Sequence, residues 1–126
     1  MKTIPKVAGI AVALLGLVGA TEATDLDKLK VLYVGDTNTP RAQHFTGFLG
    51  ENVGRVEAAS RKDFQPAQAA EFDVVLLDWP QSVTARDERN GRSPLGDRAA
   101  WSKPTVLLGS AGLNLAVVWK VRGGSG

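Results

Sequence analysis

The segment DVVLLDWP, Asp73 to Pro80, constrains the fold more than any other stretch of the chain. Its middle is apolar without a break, the pattern of a strand buried on both faces rather than the alternation of a strand with one wet face. Pro80 ends it, because a proline has no N–H to give to a sheet ladder. Such a strand needs a covering layer above and another below.

The rest of the chain supplies candidates for those layers. KVLYVG, Lys30 to Gly35, is a second run of the same type. The DTNTP that follows is a turn and a helix start at once: Thr39 can cap, and Pro40 at the first helical position loses nothing by lacking an N–H. Phe45, Phe48, Leu49 and Val53 then fall on one helical face, and Gly54 marks the stop. RVEAAS, Arg55 to Ser60, predicts a shorter strand, DFQPAQAAEF a brief helix with Pro66 near its start, and TVLLGS from Thr105 a fourth strand. LNLAVVWKVR predicts a helix that is apolar nearly all round and needs a cover of its own; a strand from Leu115 to Arg122 is the alternative. Residues 81–102 are polar and charged and predict a long surface loop with a short helix around Asp97 to Trp101.

Strands alternating with helices predict an α/β fold: a flavodoxin-like, doubly wound parallel sheet of about four strands with helices on both faces, strands one, three and four side by side. A complete sheet of this kind usually has a fifth strand. TVLLGS is too apolar for an open edge. The expectation is therefore an incomplete domain, either the N-terminal part of a larger one or one completed by a partner or by self-association through the fourth strand.

The opening MKTIPKVAGIAVALLGLVGATEATD has Lys2 and Lys6, then an apolar stretch from Val7 to Val18, then small residues. That order predicts a signal peptide over residues 1–23, cleaved after Ala20 or Ala23, and an exported protein, periplasmic or secreted. About a dozen apolar residues fall short of the roughly 20 that a membrane-spanning helix needs, so a membrane tether through an uncleaved segment is the alternative. Residues 24–28 are then a short linker, 29–122 the domain and 123–126 a Gly/Ser tail. Removing residues 1–20 takes two lysines and no acid, so the formal charge falls from +2 to zero. No positive excess is left for phosphate backbones, which argues against a nucleic-acid partner. With no cysteine and one histidine, neither a disulfide nor a thiolate or multi-histidine metal site is available, and no metal or cofactor is expected.

Open parallel sheets bind ligands outside the carboxyl ends of their strands. Here those ends carry Asp36 and Thr37, Asp78 and Trp79, and Gly109, Ser110 and Ala111, the predicted site for a small-molecule ligand or protein partner. Trp79 and Trp101 border the charged loop and offer exposed aromatic faces, while Trp119 reads as core. Ser110 has two readings. It is a nucleophile, with His44 and Asp78 completing a triad, or it is the helix cap of a strand–helix corner.

The LGSAG of Leu108 to Gly112, with KVLYVGDTNTPRAQHFTGFL and FDVVLLDWP before it, resembles the class I glutamine amidotransferase-like superfamily, in particular its secreted trehalose-utilisation-type branch. The resemblance spans most of residues 29–119 and implies a strand running into a sharp elbow that carries the nucleophile. Ser110 stands where catalytic members have cysteine, Leu108 replaces the elbow's first glycine, and no histidine or acid follows Ser110. The leading expectation is thus a non-catalytic or incomplete domain of this kind, with a secreted serine hydrolase using Ser110 as the alternative. A weaker resemblance, to response-regulator receiver domains, implies phosphorylation of Asp78, with Asp36 and Ser110 in supporting positions. In that resemblance Gly35 occupies one acidic position.

Overall fold

The computed structural model describes residues 25–81 and 92–121. The expected signal peptide, the Gly/Ser tail and the middle of the charged loop lie outside the described residues. The elements run β1 (Lys30–Gly35), α1 (Pro40–Asn52), β2 (Arg55–Ser60), a 3-10 turn (Pro66–Ala69), β3 (Val74–Trp79), a second 3-10 turn (Arg98–Ala100), β4 (Thr105–Gly109) and α2 (Ala111–Val118).

The four strands form one sheet in the order β2-β1-β3-β4, and every neighbouring pair is parallel. This is the α/β arrangement expected from the apolar runs, with strands one, three and four adjacent. It matches the first four places of the flavodoxin-like order 2-1-3-4-5. β1 and β3 are the central strands and are buried on both faces. Successive side chains alternate between two cores. Leu32 and Val34 of β1 join Val75, Leu77 and Trp79 of β3 under α2, through Ala111 and Leu115. Val31 and Tyr33 join Leu76 under α1, through Ala42. Helices therefore cover both faces.

α1 begins as its sequence predicts. Thr39 is the N-cap, its Oγ1 accepting from the Ala42 N–H at 3.2 Å, and Pro40 opens the helix. Phe45, Leu49 and Val53 pack against the sheet, but Phe48, expected on the same face, is exposed. Over the last turns of a short helix the buried arc is too narrow to hold four large side chains.

Residues 25–28, expected to be a linker, belong to the domain. The Gly54 N–H donates to the Leu26 carbonyl at 3.1 Å, and the Arg55 N–H to the Leu29 carbonyl at 3.1 Å, so the segment is fastened to the α1–β2 turn. The charged loop also departs from expectation at its end. Leu95 is 1% exposed and sits in the larger core. Trp119 packs against that core and donates from Nε1 to the Gly96 carbonyl at 2.8 Å. The short helix expected near Asp97 is the 3-10 turn Arg98–Ala100. Residues 111–118 are helical, which settles that segment against the strand alternative.

β4 is an edge strand of the described sheet. Val106 and Leu107 are exposed on it, and Leu113 and Val117 are exposed on α2 beside it. The opposite edge strand, β2, carries Arg55 and Glu57, which pair with each other; charges of this kind protect a sheet edge. β4 has no such guard.

Candidate functional site

Four groups meet at the carboxyl end of the α1 face. Asp78 is one residue from the end of β3, on the same side of the sheet as Tyr33 of β1, because residues two apart along a strand share a face. Arg41 reaches over from the first turn of α1. Its Nε donates to Asp78 Oδ2 at 2.7 Å and its Nη2 to Oδ1 at 2.8 Å, a bidentate pair, while Tyr33 Oη donates to Oδ2 at 2.6 Å. Asp78 is 1% exposed, so three charge-assisted bonds compensate a carboxylate taken out of water. Arg41 also lies over the Phe45 ring at 5.2 Å, and Phe45 stacks on Tyr33 with centroids 6.1 Å apart. Gly35 makes room for the phenol: a Cβ there would lie 2.7 Å from Tyr33 Oη. Burial, followed by the bond to the Asp78 carboxylate, pushes the Tyr33 phenol far above the ordinary tyrosine value.

This geometry withdraws Asp78 from the expected ligand-facing and phospho-accepting roles. Both of its oxygens are engaged and no face is open. A phospho-accepting aspartate has to reach its phosphodonor and a magnesium ion, and Asp78 is sealed from both.

Ser110 follows Gly109, which has φ +64° and passes so close to β3 that a Cβ would lie 2.1 Å from the Trp79 carbonyl oxygen. The turn brings the Ser110 N–H to that carbonyl at 2.7 Å. Ser110 Oγ lies 3.2 Å from the Trp79 carbonyl and 3.0 Å from the Pro80 carbonyl, to which it donates, and it accepts from Asn114 Nδ2 at 3.1 Å. It occupies the N-cap position of α2 but makes no capping bond, so the expected helix cap is corrected to a clamp between β3 and α2. His44 is exposed on α1 and bonds to neither Ser110 nor Asp78 among the described residues. The three residues drawn together as a triad are not assembled. Ala111, expected to line the site, is fully buried in the larger core.

A cavity of about 430 Å³ opens on the other face of the sheet, at the ends of β2 and β3. Arg61, Lys62 and Phe64 come from the turn after β2, Trp79 from β3, and Arg92, Ser93 and Gly96 from the end of the charged loop. Arg61 is 4% exposed; its guanidinium lies 4.6 Å over the Trp79 ring and its Nη2 donates to Asp36 Oδ1 at 3.0 Å. Asp36, expected at the ligand site, holds Arg61 with its side chain, while its carbonyl accepts from Thr39 Oγ1 at 2.7 Å. Thr37 is half-buried in the same turn.

Of the predicted site residues, Trp79 lines the cavity and Asp36 touches it through Arg61. Trp79 is buried, not an exposed stacking face. Trp101 donates from Nε1 to Thr105 Oγ1 at 2.8 Å and packs on Phe64 edge to face. Tyr33, Arg41 and Arg61 were not singled out from the sequence. The one signal for Tyr33 and Arg41 was Asp78, an aspartate inside an apolar strand, which needs a cationic partner from elsewhere in the chain; Arg61, which pairs with Asp36, had none. Among the described residues, no three histidine or carboxylate side chains come together to hold a metal ion, and no helix is long and apolar enough to cross a membrane. Compared with known proteins, the chain matches no family model, no curated protein and no solved structure.

Proposed function

We propose that this chain is an exported, non-catalytic α/β domain of amidotransferase-like architecture that binds a small ligand at the carboxyl edge of its sheet. One observation carries the reading: the side chains at that edge suited to chemistry, Ser110 and Asp78, are each engaged in hydrogen bonds, while a cavity opens near the same strand ends, on the sheet face opposite Asp78. A serine nucleophile needs a base within hydrogen-bonding reach, and among the described residues the groups bonded to the Ser110 hydroxyl are carbonyls and an amide. The cavity's volume falls within the roughly 300–1,000 Å³ typical of small-molecule sites, and its place outside the strand ends suits the general rule for open parallel sheets.

The test pairs two measurements on the folded protein. A fluorophosphonate probe is expected to leave Ser110 unlabelled, and a small-compound screen is expected to raise the melting temperature with compounds that also perturb the cavity residues. Labelling that disappears in Ser110→Ala would overturn the non-catalytic reading and restore the serine hydrolase.

A second reading rests on a different observation. Val106 and Leu107 are exposed on opposite sides of the unguarded β4 edge, with Leu113 and Val117 exposed on α2, and an apolar edge of this kind favours strand pairing. A partner or a second copy of the chain is proposed to bind there. Sedimentation across a range of concentrations decides whether that occupant is the chain itself.

A further inference from the structure

We propose that the β4 edge pairs with the β4 edge of a second copy of the chain, antiparallel and centred on Leu107, so that two sheets join into one across a two-fold axis. The inference rests on the second reading above and names its occupant and register. Two bonds at the ends of the β3–β4 ladder fix which way the main chain of β4 faces. The Val75 N–H donates to the Pro104 carbonyl at 2.9 Å, and the Ser110 N–H to the Trp79 carbonyl at 2.7 Å. With Val75 opposite Thr105 and Trp79 opposite Gly109, the residues of β4 that bond to β3 between those ends are Val106 and Leu108, because successive residues of a strand turn their N–H and C=O groups to opposite sides. Thr105, Leu107 and Gly109 therefore turn theirs outward, and among the described residues no strand lies beyond them.

That outward set is symmetric about Leu107. With Leu107 at the axis of an antiparallel pairing, it faces itself in a hydrogen-bonded pair and Thr105 faces Gly109 of the second copy, so each outward-facing residue meets another. A centre at Val106 or Leu108 leaves one of them over. The side chains suit the same register. Leu107 lies on the α2 face beside Leu77, and Val106 on the α1 face beside Leu76; the pairing sets Leu107 against Leu107 and the exposed Val106 against the half-buried Leu108.

Charge identifies the occupant as a second copy. A two-fold joint sets every charge near its axis against itself, and Pro104 to Trp119 contains no charged residue. The Arg55–Glu57 pair guards the β2 edge against β4, so the assembly closes at two copies instead of growing into a filament. α2 borders the joint as well: a Cβ on Gly112 would lie 3.7 Å from Leu107 Cδ1, and the axis brings the second α2 to the same face of the sheet. A strand of this length is about 17 Å long and the sheet and helix layers together are about 20 Å deep, so the joint covers roughly 350 Å² per copy. Stable interfaces of standard size cover about 800 Å² per partner, so the dimer is expected to be reversible, with a dissociation constant in the micromolar range or above.

The experiment reads self-association of the full chain by sedimentation. Leu107→Lys and Leu107→Glu, each alone, set like charges against each other at the axis and are expected to weaken association about tenfold. An equimolar mixture of the two is expected to recover it, because opposite charges then meet. Since the chain has no cysteine, a mixture of Val106→Cys and Leu108→Cys proteins gives a second check. Their mixed disulfide is expected to exceed its statistical share about fivefold, because this register puts the two positions within disulfide reach of each other. Charge variants that weaken association without recovery in the mixture, or Val106→Cys homodimers that equal the mixed species, overturn the antiparallel register and leave the edge reading standing. Association unchanged in both charge variants overturns the two together. A parent chain that stays monomeric at every concentration overturns self-pairing and leaves a different protein as the occupant of the edge.

Discussion

Tyr33 is the chain's single tyrosine, so its ionisation can be followed by ultraviolet absorbance without interference from another phenol. Below about pH 10, the ordinary tyrosine value, the phenol is protonated in both folded and unfolded chains and its bond to Asp78 is fully present. Above that pH the unfolded chain gives up the proton while the raised folded-state value keeps it. The unfolded state then binds fewer protons, and stability falls as pH rises toward the folded value. Tyrosinate absorbance is expected to appear together with unfolding rather than before it, and the tyrosine component of the alkaline loss should be absent in Tyr33→Phe. Arg41→Gln tests the other side of the same carboxylate. It leaves Asp78 buried with one neutral partner, and urea unfolding is expected to show a loss of about 1–3 kcal/mol. Neither contact was readable from the sequence: Arg41 and Tyr33 lie 37 and 45 residues from Asp78, and only strand register and helix placement bring them together.

At the scale of the elements, the strand and helix positions were readable because they rest on local signals: continuous apolar runs for β1 and β3, and the Thr39–Pro40 start for α1. The β4–α2 corner was readable as a corner and not as a clamp. Its orientation depends on how β4 packs against β3, which no local pattern records. Gly109→Ala is the sharpest test of that corner. At φ +64°, with a Cβ placed 2.1 Å from the Trp79 carbonyl oxygen, alanine meets both backbone strain and a main-chain collision, and a loss of about 2 kcal/mol or more is expected in denaturant unfolding. If Gly109→Ala unfolds at the same denaturant midpoint as the parent, the clamp does not hold the sheet end. Leu95 shows the opposite failure of local reading: a single leucine within a charged stretch carries no periodicity, yet it anchors the cavity-lining segment in the core.

For the whole molecule, the asymmetry between the two edges of the described sheet is expected to govern association in solution. β2 carries a charged pair at its edge and β4 exposes valine and leucine. Leu107→Lys places a charge on the open edge at a side chain that is 44% exposed, so its effect on stability is expected to stay within about 1 kcal/mol. Sedimentation velocity is expected to show concentration-dependent association of the parent chain and its loss in Leu107→Lys. Equal association in both would place any self-contact elsewhere on the surface.

The parallel order of the strands also bears on how the chain reaches this structure. β1 is the earliest of the described strands yet lies inside the sheet, and its partners begin at Arg55 and Val74. No hairpin is available to any pair, so every sheet contact closes a long loop before it gains a ladder. Refolding is accordingly expected in the millisecond-to-second range set by topologies rich in distant contacts, not in microseconds, and stopped-flow fluorescence of the tryptophans measures it. On a ribosome, the apolar stretch Lys30–Gly35 emerges before both of its partner strands and stays unpaired until β2 and β3 have been made.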